Sequence, residues 1–194
     1  MKRVTDVLVA GAGVVVLAFP MALIALAIVL AMGRPVLFAQ LRAGRAGRPF
    51  PLLKFRTMTA EVDAAGRPLS DGQRLTRFGR FLRRTSLDEL PQLINVLRGD
   101  MSLVGPRPLL PEYMPMYSAH HARRHEVTPG ITGWAQVNGR NGLRWSDRLE
   151  LDVWYVAHRN WRVDAEILVR TPRAILSGVG VSHPGHATME PYRG

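Results

Sequence analysis

The chain has 194 residues, room for one compact domain, and a formal net charge of +11. Nearly all its cations are arginine, with Lys2 and Lys54 the two lysines, a balance that implies anionic partners: phosphates, nucleic acid or acidic lipid. The lack of cysteine excludes disulfides and thiolate metal sites.

Residues 7 to 32 carry no charge. As a helix they would extend about 39 Å, against a bilayer core of about 30 Å. The run is long for a signal peptide and has no convincing small-residue cleavage site. Pro20, near its middle, removes one backbone hydrogen bond and predicts a kink. Both flanks are basic: Lys2 and Arg3 before, then Arg34, Arg42, Arg45 and Arg48 after. Basic flanks favour the cytoplasmic side, so a straight span violates that preference at one end. A helix that enters, bends at Pro20 and returns satisfies it at both. On residues alone the two topologies stay open.

Leu52 to Arg56 reads as an extended segment with Lys54 and Arg56 on one side. Two cations there suit phosphate, or simply water. Residues 59 to 72 form a polar loop with turn signals. Gln73 to Arg84 predicts a basic amphipathic helix, with Leu75, Phe78 and Leu82 as its apolar stripe. Such a helix suits an anionic membrane surface or a core contact with a basic outer face.

The stretch RRTSLDELPQLINVLRGDMSLVGPRP, residues 83 to 108, is the most informative. Leu87, Leu90, Leu93, Ile94 and Leu97 recur at helical spacing, and Gly99 ends the pattern. Proline is tolerated in a first turn, so Pro91 predicts a helix that starts with Asp88 and Glu89 at its N-terminus. That end favours an ionised carboxylate and a neighbouring phosphoryl group. Ser86-x-x-Glu89 reads equally as a capping box. Arg107, in a rigid Gly-Pro-Arg-Pro turn, can donate two parallel hydrogen bonds to a phosphate.

Tyr113, Met114, Met116 and Tyr117 suit a membrane headgroup level. His121 and His125 have the spacing of a metal pair but no evident third ligand. Residues 128 to 142 are glycine-rich and predict strand or loop, anchored by Trp134. Ser146 is expected to cap a helix to about His158, with a stripe of Leu149, Asp152, Val153 and Val156. A buried Asp152 needs a partner, most readily an arginine. It would hold an active-site arginine in place or bridge structurally. A helix from Asp164 to Ser177 should be interrupted at Pro172, and residues 183 to 194 should be loosely ordered.

RTSLDELPQLINVLRGDMSLVGPRP resembles the signature of the bacterial sugar transferases, the monotopic phosphoglycosyl transferases. These move a sugar phosphate from a UDP-sugar onto a membrane polyprenyl phosphate. The resemblance continues in Pro35–Phe38, Lys54–Met58, Arg123–Val127 and Pro129–Asn141, over roughly residues 3 to 160. It implies one mostly helical α+β domain across 1–194, membrane-associated and monotopic. Residues 7–32 would form a re-entrant helix kinked at Pro20, with Phe19 in place of the family's serine. Residues 33–194 would form the catalytic part, with interfacial helices, on the cytoplasmic face of a bacterial inner membrane.

The resemblance also implies the chemistry. Asp88 would attack the donor and carry the phosphosugar. Glu89 would share the catalytic site and hold Mg²⁺, the natural hard cation for oxygen donors. Lys54, Arg56, Arg83, Arg107 and Asp152 are the substrate-binding candidates. The expected partners are a UDP-sugar, polyprenyl (undecaprenyl) phosphate and inner-membrane lipids, with a homodimer left open and no nucleic acid. The product would enter glycoconjugate assembly. Two other classes remain: a membrane-tethered nucleic-acid binder, which explains charge and anchor but not the Asp-Glu pair, and an inactive scaffold.

Overall fold

The structure, a computed structural model, describes residues 2–67, 69–139, 142–177, 191, 192 and 194. Most of the predicted loose tail lies outside these residues. The observed class is mostly helical α+β. Helix α1, Lys2–Met32, is one α-helix of 31 residues that includes Pro20. It is long and apolar enough to cross a membrane. Uniform apolarity hides its two faces. Asp6, Ala10 and Ile28 are buried, and Met21 and Ile24 pack near Ile28. The opposite face leaves Val4, Leu8, Val15, Phe19, Leu23, Leu26 and Leu30 exposed. The three- and four-residue spacing within each set is that of opposite helix sides.

Both ends of α1 are tied to the rest of the chain. Lys2 Nζ lies 2.6 Å from Asp164, and Arg3 donates to the Val96 and Leu97 carbonyls at 2.5 and 2.9 Å. Asp6 accepts from the Ser102 hydroxyl at 2.8 Å and the Leu103 N–H at 3.1 Å. At the other end, Arg56 donates to the carbonyls of Met32, Gly33 and Arg34. A guanidinium there satisfies terminal carbonyls and opposes the negative end of the helix dipole.

Strands β1 (Leu37–Ala43) and β2 (Pro49–Phe55) form an antiparallel hairpin, from Leu37 opposite Phe55 to Ala43 opposite Pro49. The expected amphipathic helix over 73–84 is two pieces, α2 (Asp71–Arg74) and α3 (Arg77–Arg84). Leu75 leaves the helix to bridge Met58, and Thr76 starts the next one by accepting from the Gly79 N–H at 2.8 Å. A capping side chain gains more at a new N-terminus than inside a helix.

Helix α4 is Gln92–Arg98. Its buried face is Gln92, Asn95 and Val96, whereas Leu97 is exposed. Asn95 is buried because it clamps α4 to β2. Its amide donates to the Pro51 carbonyl at 2.8 Å, and its oxygen accepts from the Leu53 N–H at 3.0 Å. Pairing both ends of one side chain removes the penalty of burying it.

Strand β3 (Ser102–Val104) pairs in parallel with β4 (Gly130–Thr132). The pair is glycine-tight: a Cβ on Gly130 would sit 2.0 Å from the Gly105 nitrogen. The single turn α5 (Ala119–Ala122) lies between them in the chain. Within the glycine-rich segment 128–142, β4 is the expected strand, while the short helix that follows, α6 (Trp134–Val137), was not expected. Helix α7, Trp145–His158, begins one residue before Ser146, which therefore does not cap it. Helix α8, Trp161–Leu176, starts at an Asn160 cap and runs through Pro172. Asn160 accepts from two N–H groups there. Val104, Val127, Tyr155, Val156 and Ile167 form the core between these helices and β3.

Candidate active site

Asp88 and Glu89 lie in a 3-10 turn, Leu87–Glu89, between α3 and α4. Pro91 is the N-cap of α4, so the carboxylates precede the helix by one turn and do not begin it. Ser86 is left-handed (φ 57°, ψ 16°), and the capping box is not formed. The Glu89 side chain is engaged elsewhere. Glu89 Oε1 accepts from Lys54 at 2.7 Å and from Arg107 at 2.5 Å, while Oε2 is 3.3 Å from Arg107. Lys54 Nζ is also 3.8 Å from Asp88 Oδ2. The Asn95 clamp is what brings Lys54, on β2, beside the turn that leads into α4.

The two adjacent carboxyls are driven apart. Burial pushes Glu89 up, but the Arg107 and Lys54 charges outweigh it and hold the group far below the usual carboxylate range. Burial raises Asp88 above its ordinary value; Lys54 pulls it back and the Glu89 charge adds to the rise. The setting thus opposes ionisation of Asp88, contrary to what a helix end alone predicts. Once ionised, such a group is poorly solvated and held beside cations.

The remaining predicted residues divide. Arg83 donates to the Thr57 hydroxyl at 3.0 Å, and the Asp88 charge acts on it. Gly79 makes that approach possible, since a Cβ there would lie 1.9 Å from the Thr57 carbonyl oxygen. Arg56 is spent on the end of α1, although it also borders the cavity. Asp152 does not face the cavity. It is fully buried against Arg124, accepting at 2.7 and 3.1 Å on one oxygen. Arg124 also donates to the Arg107 carbonyl at 2.6 Å. Asp152 therefore reaches the site through Arg124 and the backbone of Arg107. His121 bonds Glu150 at 2.9 Å, whereas His125 faces the Gly44 carbonyl at 3.2 Å, so the two do not form a metal pair.

A cavity of about 970 Å³ opens over the carboxylates. Lys54, Arg83, Arg107, Asp88 and Glu89 border it, and α1 contributes Val9, Gly13 and Leu17. Arg42 and Arg148 also line it and were missed in the sequence. Arg42 reads there as a membrane flank. Arg148 carries one available signal: it precedes Asp152 by four residues, on the same helix face.

Among the described residues no three His, Asp or Glu side chains converge as a metal cluster. Mg²⁺ needs less, being held usually by one or two carboxylates plus substrate phosphates. Glu89 is the carboxylate here that could meet that need: it is held anionic, and among the described residues its Oε2 has only the 3.3 Å contact to Arg107.

Comparisons with known proteins bear on the family. Residues 1–178 match the family described as bacterial sugar transferase. A Bacillus subtilis relative, the uncharacterized sugar transferase EpsL, is 54% identical over 165 residues, covering 85% of this chain and 82% of the relative. A Caulobacter vibrioides UDP-glucose:undecaprenyl-phosphate glucose-1-phosphate transferase is 44% identical over 189 residues, covering 91% and 70%. The Salmonella typhimurium undecaprenyl-phosphate galactose phosphotransferase is 41% identical over 163 residues; the match covers 74% of this chain but 34% of that longer protein. The chain belongs to the bacterial sugar transferase family.

Proposed function

We propose that the protein transfers a sugar 1-phosphate from a UDP-sugar to undecaprenyl phosphate, with Asp88 as the nucleophile. One observation carries this reading: a buried Asp88 beside Lys54 at 3.8 Å, in a cavity also bordered by Arg83 and Arg107. A carboxylate oxygen of Asp88 attacks the sugar-bearing phosphorus. The bond from that phosphorus to the bridging oxygen breaks, and UMP leaves with both electrons on that oxygen. The phosphate of the lipid acceptor then attacks the same phosphorus, and the Asp88 carboxylate is released. A covalent intermediate lets a bulky donor and a bulky acceptor use one site in turn.

Lys54, Arg107 and Arg83 neutralise the phosphoryl oxygens through both steps. Asp152 holds Arg124, and Arg124 holds the Arg107 backbone, so Asp152 is a positioning residue. Mg²⁺ on Glu89 would add charge neutralisation of the diphosphate. Relatives named for glucose and galactose transfer point to a hexose donor. The product would begin a membrane-bound glycoconjugate.

Topology belongs to the same proposal. Lys2, Arg3 and Asp6 bind one end of α1 and Arg56 the other, so one catalytic part engages both ends. That supports a re-entrant, monotopic helix bent near Pro20, with its outer face in lipid and both ends on the cytoplasmic side of the inner membrane. The aliphatic cavity wall from α1 gives a lipid acceptor access.

The test is intact-protein mass spectrometry under rapid quench. With a correct UDP-sugar and no acceptor, the protein should gain one phosphosugar, on the peptide containing Asp88, and release at most one UMP. Asp88→Asn should lose both adduct and turnover. No adduct, with kinetics that require both substrates bound together, would remove Asp88 as the nucleophile.

A further inference from the structure

The reaction uses the cations nearest Asp88, but Arg42 and Arg148 also stand on the cavity wall. Tyr113 and Trp145 line it with them. Arg42 Nη2 donates to Gln40 at 2.7 Å, while its buried Nε has no hydrogen-bond partner among the described residues. The Arg148 guanidinium lies 5.2 Å over the Trp145 ring. Trp145 meets Tyr113 edge-on at 5.7 Å and 80°. Tyr192 braces both rings from behind in the chain, 5.2 Å from Trp145 and 5.8 Å from Tyr113.

Both guanidinium groups are buried close to other cations. Burial, then the charge of Arg107, lowers Arg42 to about 10. Burial lowers Arg148 to about 10 as well; Asp152 opposes this, while Arg107 and Arg124 add to it. A phosphate at this wall would offset the Arg107 charge that acts on both.

We infer that Arg42, Arg148, Tyr113 and Trp145 form the subsite for the leaving nucleotide, a nucleoside monophosphate. The inference rests on the reaction proposed above and adds where its departing half sits. That half has one phosphate and one planar aromatic base. The wall offers guanidinium groups for the phosphate and two rings for stacking. A polyprenyl phosphate would want its phosphate beside aliphatic wall, and that wall comes from Val9, Gly13 and Leu17 of α1. The aromatic side suits a base.

The test uses UMP itself as the probe, and ribose 5-phosphate as the same phosphate without a base. UMP should quench tryptophan fluorescence of the full chain in detergent and compete with the UDP-sugar. Trp145→Leu should lose most of that quench and shrink the preference for UMP over ribose 5-phosphate by about tenfold. Arg42→Gln should weaken UMP and raise KM for the donor at least about tenfold, with the acceptor KM moving less than about twofold. Arg148→Lys should weaken both phosphate ligands alike, because a point charge replaces a planar fork.

Unchanged UMP binding in Trp145→Leu and Arg42→Gln would overturn the subsite. So would a rise in acceptor KM with donor KM unchanged, which would assign these cations to the lipid phosphate. UMP binding by the parent protein that fails in these variants supports the subsite even if no UDP-sugar is turned over. In that outcome the reaction falls and the subsite stands. No UMP binding by the parent protein overturns the subsite while leaving the adduct experiment to judge the reaction.

Discussion

Asp152→Asn separates a positioning role from a structural one. The Asp152–Arg124 pair has side-chain exposures of 0% and 1%, so water does not screen it. Neutralising Asp152 leaves a buried guanidinium charge, a loss of about 3–5 kcal/mol. Against a typical total of about 5–15 kcal/mol, the protein should still fold. At about 2–4 °C per kcal/mol for a chain of this size, melting should fall by roughly 6–20 °C. Arg124 donates to the Arg107 carbonyl at 2.6 Å, and Arg107 holds Glu89, so the site should loosen as well. A misplacement of about 1 Å costs up to about 100-fold in rate. The informative companion is Asp152→Leu with Arg124→Met. Replacing both charges by apolar groups is often neutral or stabilising by about 1–4 kcal/mol, less about 1–3 kcal/mol for the Arg107 carbonyl left without its donor. Melting should return near the parent value while UMP release stays low. Thermal unfolding in detergent and donor kcat/KM read the two effects separately. A fully active double variant would refute the positioning role, and a single variant melting within about 1 °C of the parent would refute the energetic argument.

The two catalytic-turn carboxyls should respond oppositely to neutral substitution. Asp88 has a raised value, so its protonated form favours folding and that contribution is lost as pH rises through the folded value. Glu89 has a lowered value, so its contribution is present above the unfolded value and lost as pH falls through the folded one. At neutral pH Asp88→Asn should therefore raise the melting temperature and Glu89→Gln should lower it; shifts in the same direction would contradict the assigned electrostatics. The UMP burst should also decline with falling pH at a higher pH than an exposed aspartate would give, measured by quench flow. Gly79→Ala forces a Cβ against the Thr57 backbone and should cost about 1–3 kcal/mol and disturb Arg83, seen as a loss of both stability and donor affinity. Single cysteines at positions 2 and 45 should label from the same side of the membrane, and labelling from opposite sides would rule out the re-entrant helix.

Periodicity and punctuation made several features legible before any coordinates. The charge-free run showed the long helix, Gly99 the stop of α4, and the motif around Asp88 the family. Asp152 was readable as a buried carboxylate that needs an arginine, because an acidic residue on an apolar stripe has few other solutions. What the sequence could not carry was contact between distant residues. The two faces of α1 are chemically alike, so only packing against β2, α3 and α4 distinguishes them. Asn95 sits in a helical run and shows no sign that it clamps β2 and thereby delivers Lys54. Ser86 and Glu89 fit a capping box locally, yet Lys54 and Arg107 take the Glu89 carboxylate, since two cations outweigh one backbone N–H. Asp88 looked favoured as an anion by a helix end, yet burial raises it. Arg56 and Lys54 are equivalent by strand spacing, but one closes the end of α1 and the other reaches the carboxylates. The sequence by itself determined which chemical groups exist and which stretches are helical, but not where α3, α4, α7 and α8 begin. Tertiary structure decided which groups meet, because desolvation and charge pairing depend on neighbours that lie tens of residues away.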